Sequence, residues 1–382
     1  MTMLQSSRGI GSLSSMLGDG LRSLDITVAE YDQVVAHYTA LGHQFADHWG
    51  HTRGDNIVTP QGSFPLGTVV RNVHRNDEID LDAVAIRDIG KTAISQVDLK
   101  VDAGVPVRNY SRSARSGHPT ISECERCWTL HWNGMHIDLL PAIPNCDTGV
   151  GILITDKDVR RWLPSHPTGY IDWFKSQMRE ALVAALEAKS TQIDNVPEWQ
   201  VKTTLQQTVQ ALKRHRDIYF TDNLGDRPAS VILTTLAARA YTGGDDVYEV
   251  LRDVIGRMGG MVEHRDGMWW VPNPVLNTEN FADSWARYPK RAAWFFQWLE
   301  AATNDFNGFG LKAGLDNSIP RIAASFGDRF AKAASAGYSN TLNAARDTQR
   351  LQVTTGGTLA AATGAEYSRK VRRNGFAGGS PN

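Results

Sequence analysis

The chain carries almost no excess charge of either sign, because 40 basic and 41 acidic side chains leave a formal net charge of −1 over 382 residues. That excludes the global positive field with which a protein holds a long nucleic acid. There is no run of about 18 apolar residues, so no membrane-crossing helix is expected. The N-terminus lacks the basic start and apolar core of a secretion signal, and a cytoplasmic location is expected. Cysteine is scarce, three in all. So small an odd number makes no disulfide framework and suits a reducing compartment. No internal repeat is present. What remains is an ordinary globular composition, 41% apolar and 21% charged, in a chain long enough for two domains or one bilobed unit.

The most informative stretch is the turn Gly62-Ser63-Phe64-Pro65-Leu66-Gly67-Thr68, followed by Glu78-Ile79-Asp80-Leu81-Asp82-Ala83-Val84-Ala85-Ile86. The second segment reads as a β-strand with a polar start. Alternation puts Glu78, Asp80 and Asp82 on one face, roughly 6.5–7 Å apart, and Leu81, Ala83 and Ala85 on the other. Acids so close need a counter-charge unless fully solvated, and a divalent cation is the common solution. A glycine-serine turn lets backbone approach an anion. Metal plus phosphate is the implied pairing.

A third acid comes from further along. Asn133-Gly134 is a hairpin signal between 127–132 and 135–140, and a type I′ turn pairs Trp132 with Met135, Leu130 with Ile137 and Trp128 with Leu139. One face is then wholly apolar, while Thr129, His131, His136 and Asp138 occupy the other. Asp138 is free to meet Asp80 and Asp82 if the strands are neighbours.

Gly-Ser, a variable stretch, alternating acids, and a later strand acid before Pro141 together resemble the signature of the polymerase-β-like nucleotidyltransferases. The longer string from Gly62 to Arg71 resembles the bacterial CD-NTases, relatives of animal cyclic GMP–AMP synthase and oligoadenylate synthase that make cyclic oligonucleotides in anti-phage (CBASS) signalling. Ala211-Leu212-Lys213-Arg214-His215-Arg216-Asp217 resembles a segment of that family whose lysine contacts the triphosphate, and Ser230 fits its phosphate-binding serine. The resemblance runs from Gln61 to about Trp285. It implies an α/β (α+β), bilobed fold, a nucleotidyltransferase core with a mixed sheet and a helical lobe closing a cleft.

It further implies two Mg²⁺ ions, with Mn²⁺ as a substitute, held by Asp80, Asp82 and Asp138 as the catalytic and metal-binding acids. Gly62, Ser63, Lys202, Lys213 and Ser230 would bind the nucleotide, ATP or GTP. The product would be a cyclic di- or trinucleotide. Asp80 and Asp82 are preferred to Glu78 and Asp80 as the first pair because the better apolar strand follows them. The alternative activity is nucleotide transfer to RNA or a protein; a catalytically dead nucleotide-binding scaffold is a third reading, and the full acid set argues against it. Relatives work beside HORMA-type regulators or ubiquitin-like conjugating partners, yet this chain ends Gly378-Gly379-Ser380-Pro381-Asn382 without a terminal glycine.

The domain expectation is a core over 1–165 with an N-terminal helix, a helical lobe over 166–356, and a flexible tail over 357–382. Residues 1–22 read as a mobile arm or a short helix around 13–21. Thr27 and Glu30 form a capping box opening a helix to about Trp49, closed by Gly50, with Val28, Tyr31, Val35, Tyr38 and Leu41 at apolar spacing. A strand over 54–59, a helix over 64–71, a connector over 95–102 and a polar loop over 108–122 follow. Helices are expected over 171–189, 201–220, 228–241, 245–258, 279–288 and 289–304, with 268–271 a strand or loop. In 201–220, Lys202 and Lys213 would lie within about 20° of each other on one helix face. Asn273-Pro274 and 279–285 also resemble a late motif of the CD-NTases and are read as structural, and Tyr219 as a base-stacking guess. Cys124 and Cys127 form a C-x-x-C near His131, His136 and Cys146, a weak zinc signal; free thiols fit the hairpin better.

Overall fold

The computed structural model describes residues 3–55, 57–71, 78–156, 161–190, 198–309, 315–353, 359–361 and 369–370. Two helices open the chain, α1 (Met3–Arg22) and α2 (Val28–Trp49). The capping box at Thr27 and Glu30 is formed, and Gly50 closes α2 in the left-handed conformation. The central sheet has the spatial order β1 (Val58–Gln61), β2 (Ile79–Ile86), β5 (Met135–Pro144), β4 (Trp128–Trp132), β3 (Thr120–Glu123), and β6 (Ile152–Ile154) and β7 (Leu163–Ser165) continue from β5. β2 and β5 run parallel; β4 and β5 form the expected hairpin, with Trp132 opposite Met135 and Leu130 opposite Ile137.

The odd-numbered positions of β2 and β5 make the core face. Leu81, Ala83, Ala85, Ile137 and Leu139 pack with Val34, Tyr38, Leu41 and Phe45 of α2 and with Ala103, Val107 and Tyr110 of α4 (Gln96–Arg112). The even-numbered face divides in two. Val84, Ala142, Ile152 and Ile154 form a small apolar cluster at one end, whereas Asp80, Asp82, His136 and Asp138 at the other end open into a cleft.

Over that cleft lies the helical lobe. It contains α5 (Pro167–Ser176), α6 (Arg179–Ser190), α7 (Thr204–Tyr219), α8 (Ser230–Ala240) and α9 (Val247–Met258). Two small hairpins follow, β8 (Glu263–Arg265) with β9 (Met268–Trp270) and β10 (Pro272–Asn273) with β11 (Leu276–Asn280), then α10 (Ser284–Arg287), α11 (Pro289–Gly308), α12 (Leu315–Phe326) and α13 (Asp328–Asp347). Leu13, Met16, Leu17 and Leu21 of α1 are buried in this lobe's core beside Val250, Phe330 and Tyr338, although the sequence places them with the first unit. Of the expected tail, only 359–361 and 369–370 lie among the described residues; they form β13 (Leu359–Ala361) and β14 (Arg369–Lys370), which flank β12 (Leu351–Val353). The terminal Gly378–Asn382 segment lies outside them.

Several expectations are corrected. Val28 and Val35 of α2 are 47% and 40% exposed, and the buried stripe is Val34, Tyr38, Leu41 and Phe45. The polar stretch 108–122 is not one loop: α4 continues through Pro106 to Arg112 and β3 begins at Thr120. Its composition misleads because only one helical stripe, Leu99, Ala103, Val107 and Tyr110, is apolar. The strand expected over 54–59 begins later, at Val58. Helix α3 (Ser63–Leu66) is a single turn instead of running to Arg71, because Gly67 ends it at φ 67°. The long segment 171–189 is broken between α5 and α6, and 279–288 is a strand followed by one helical turn.

Candidate active site

Parallel pairing of β2 with β5 sets Asp82 directly opposite Asp138, and Asp80 opposite His136. Since residues opposite one another share a face, both aspartates of β2 and the one from β5 point into the same cleft. The three carboxylates repel. Burial, then Asp80 and then Asp138, push the Asp82 carboxyl up to about 8. Burial also works against charge on Asp80, but hydrogen bonding and attraction from His136 outweigh it, and that carboxyl lies below its usual range. His136 stands between acids, Nε2 3.1 Å from Asp80 Oδ1 and Nδ1 3.0 Å from Glu78 Oε2. Against the opposing effect of burial, Asp80, Asp138 and Glu78 raise it to about 9.

An acid cluster that recruits an imidazolium and still leaves one member protonated fits a divalent cation. Donor atoms of Asp80, His136 and Asp138 all lie within 4.8 Å of one another. A second such group, Glu78, His131 and His136, adjoins it. Asp138 is held by a neighbour the sequence did not single out, Thr129, whose Oγ1 donates to Asp138 Oδ1 at 2.5 Å. Thr129→Val removes that bond; kcat is expected to fall about tenfold, with KM for nucleotide little changed, in steady-state assays at saturating Mg²⁺.

The turn comes within touching distance of the acids. Gly62 adopts φ 66° and ψ −140°, and a Cβ there would stand 2.0 Å from Asp82 Oδ2. Only glycine fits, so Gly62→Ala is expected to abolish turnover by displacing the Asp82 carboxylate, while circular dichroism shows the fold retained. Beyond the turn, residues 66–71 are clamped by α7. Gln206 Nε2 donates to the Leu66 carbonyl (2.9 Å), Gln210 Nε2 to that of Val69 (2.8 Å) and Lys213 Nζ to that of Thr68 (3.1 Å). Arg214 reaches the carbonyl of Arg71.

Lys202 takes part in this clamp. It does not line the cleft: Nζ donates to the Gly67 carbonyl at 2.8 Å and sits 3.8 Å from Asp25 Oδ1. The reason is local. Thr203, with Gln206 as its capping-box partner, caps α7, so the helix begins at Thr204 and Lys202 precedes it instead of sharing a helical face with Lys213. Lys213 does line the cleft, only 5% exposed, and burial together with Arg216 brings its ammonium down to about 8.

Ser230 at the start of α8 lines the same cleft and accepts a hydrogen bond from Arg216 Nη1 at 2.9 Å. Arg216 also donates to the Pro228 carbonyl (3.1 Å) and to Asp217. The space enclosed is about 720 Å³, the size of a ligand pocket. Its lining joins Gly62, Ser63, Asp80, Asp82 and Asp138 to Lys213 and Ser230. His136 and Arg216, named above only as neighbours of Asp138 and Lys213, line it too, and so do Asn273 and Glu279 of the motif read from the sequence as structural. Tyr219 is not among the lining residues; Tyr170 and Phe281 are its aromatics. Cys124 and Cys127 both approach the Thr129 hydroxyl, at 3.3 and 3.7 Å, and no cysteine belongs to a potential metal-ligand group among the described residues.

No family model matches the chain. Among proteins of known function, it is 28% identical over 354 residues to a c-di-GMP synthase of Roseivirga ehrenbergii, covering 90% of this chain and 92% of that one. It is 24% identical over 306 residues to the cyclic dinucleotide synthase CdnG of Bradyrhizobium diazoefficiens, covering 71% and 69%. Its fold is similar to the solved structure of the Bradyrhizobium diazoefficiens CD-NTase CdnG in complex with GTP, with a TM-score of 0.68 at 20% identity over 86% of this chain and 99% of that one. It is also similar to Vibrio cholerae DncV, a cyclic AMP-GMP synthase, with a TM-score of 0.56 at 15% identity over 86% and 91%. With the mixed sheet, the glycine-serine turn and the three strand acids in one cleft, the chain is similar in sequence to cyclic dinucleotide synthases and in fold to bacterial CD-NTases.

Proposed function

We propose that the protein condenses nucleoside triphosphates, GTP among them, into a cyclic dinucleotide, and that this product is a second messenger in anti-phage signalling. The observation that carries the reading is the convergence of Asp80, Asp82 and Asp138 with Gly62 and Lys213 on one cleft of nucleotide size. Asp80, Asp82 and Asp138 would hold two divalent cations, Mg²⁺ by preference. Bound there, such cations neutralise charge on the triphosphate and make the attacking ribose hydroxyl more acidic.

The chain's own groups supply the rest. Gly62 and Ser63 let the backbone lie against the phosphates. Lys213, Arg216 and Ser230 face them from the helical lobe, where a low dielectric strengthens each contact. Lys202 acts indirectly, by fixing the carbonyl of Gly67 and with it the shape of the turn. Two successive transfers, the second between the ends of one linear intermediate, close the ring and release pyrophosphate each time.

The test is incubation with each labelled nucleoside triphosphate and Mg²⁺, with products identified by mass spectrometry. A cyclic dinucleotide is expected. Extension of an RNA, or labelling of a protein, in its place would overturn the proposal. Cells carrying the wild-type gene are expected to form fewer plaques under phage challenge than cells carrying Asp80→Ala.

A further inference from the structure

Part of the cleft lining is apolar. Tyr170 and Phe281 meet there edge to face, 5.8 Å apart, and Ile171, Val231 and Val70 extend the apolar surface. Glu279 lines the same cleft, with Arg126 and Asp283 near enough to act on its charge.

The carboxylate is held firmly. Asn273, 3% exposed, donates its Nδ2 to Glu279 Oε2 at 2.7 Å and accepts the Val275 N–H on its Oδ1 at 3.1 Å. Asn280 braces the hairpin by accepting the N–H groups of Val271 and Ala282, both at 2.9 Å, and by donating to the Trp269 carbonyl at 3.0 Å. Among the described residues Glu279 has no ion-pair partner within 4.0 Å. Its side chain is largely withdrawn from solvent, which raises its pKa. A carboxylate has about four acceptor sites, and Asn273 occupies one. An acid fixed at the lining of a cleft with acceptors to spare is suited to a donor that arrives with the ligand.

We infer that Glu279, positioned by Asn273, selects guanine in one nucleotide subsite by accepting hydrogen bonds from its N1–H and N2–H groups. The inference rests on the nucleotidyl-transfer reading above. Guanine alone of the four bases presents two parallel N–H donors on its pairing edge, matching the two carboxylate oxygens. Adenine and cytosine place a bare ring nitrogen opposite the carboxylate. Uracil has one N–H, flanked by two carbonyl oxygens. Tyr170 and Phe281 supply the flat apolar surroundings a base needs.

Two experiments decide the matter. The wild-type protein is assayed with GTP, with ITP, which lacks the N2 amine, and with N1-methyl-GTP. Use of the two analogues is expected to fall about 10- to 100-fold, chiefly through KM. Equal use of all three overturns the inference without any variant. Glu279→Gln offers one acceptor and one donor, the complement of adenine. GTP use is expected to fall about 10- to 100-fold, the GTP-to-ITP ratio to approach one, and ATP use to rise relative to GTP. An equal loss for every nucleotide would make Glu279 merely structural and overturn its role.

Thermal-shift titration with GTP and ITP reads base preference without turnover. A preference for GTP that Glu279→Gln abolishes supports the guanine contact even if no product forms, in which case the transferase reading alone fails. No preference in the wild type overturns the guanine contact whatever the product assay shows.

Discussion

Asp82→Asn is expected to lower cyclic-dinucleotide synthesis about a thousandfold or more, the equivalent of several kcal/mol of charge stabilisation, and at the same time to make the cation-free protein more stable. Both effects follow from one geometry. Asp82 faces Asp138 across the parallel pair and follows Asp80 on the same strand face, so its charge is useful with a cation present and repulsive without one. Thermal unfolding without divalent cations should show a midpoint about 2 °C or more above wild type. Added Mg²⁺ and nucleotide should stabilise the wild type and leave the variant nearly unmoved. An Asp82→Asn protein that makes product at the wild-type rate would remove Asp82 from the chemistry.

The same electrostatics set a pH dependence. Asp82 has a folded pKa of about 8 against an ordinary 3.8, so between those values the folded protein keeps a proton that the unfolded chain has released, and stability falls as pH rises. His136 has a folded pKa of about 9 against 6.5. Its stabilising contribution is full below 6.5 and is lost as pH climbs through 9, which deepens the decline. Lys213 acts the other way over a higher window: its folded pKa of about 8 lies under the ordinary 10.5, so stability recovers between those values. The cation-free protein should therefore lose stability steadily from about pH 5 to pH 8. Because a cation must displace the Asp82 proton, apparent Mg²⁺ affinity should rise over the same interval, with protons released on binding. Calorimetric titration in two buffers of different ionisation enthalpy measures both.

Lys213→Met is the second large effect. Keeping an ammonium ion buried at this site costs about 3 kcal/mol at neutral pH. Removing it relieves that penalty but leaves the buried Thr68 carbonyl without its lysine donor, a loss of about 1–3 kcal/mol. The two nearly cancel, so the variant's unfolding midpoint should stay close to wild type. Function should not: loss of a preorganised cation aimed at a triphosphate is expected to lower kcat about 10²- to 10³-fold and to abolish stabilisation by nucleotide. A midpoint unchanged and a nucleotide response intact would place Lys213 in the clamp on residues 66–71 alone. Lys202→Met separates the two roles, since among the described residues its amine reaches only Gly67 and Asp25. That change should weaken nucleotide binding modestly while lowering stability.

Much of the site was legible because its geometry is local. Strand alternation placed Asp80 and Asp82 together, and the Asn133-Gly134 turn fixed which face carries Asp138. The capping box at Thr27 likewise marks the start of α2 through contacts within one helical turn. The misreadings arise where a local pattern competes with a distant partner. Lys202 looked aligned with Lys213 on a helix starting at Val201, but the cap at Thr203 starts the helix later and the lysine turns to a backbone carbonyl 135 residues away. The stretch beyond Gly67 reads as helical, yet it remains non-helical through Arg71 as its carbonyls are taken by side chains of α7.

By itself, then, the sequence determined the chemistry and the register: a glycine turn, three acids of one strand parity, and a hairpin that puts the third on the same face as the others. Periodicity of two along a strand is enough for that. Only the tertiary structure decided that β2 and β5 are neighbours and parallel, so that Asp82 and Asp138 come face to face. Long-range packing also decided that His136 stands between Asp80 and Glu78, that Arg216 rather than Lys202 shares the cleft with Lys213, and that Glu279 lines it. Membership of a cleft depends on which surfaces the helical lobe covers, and that is settled by its buried core, not by any spacing along the chain.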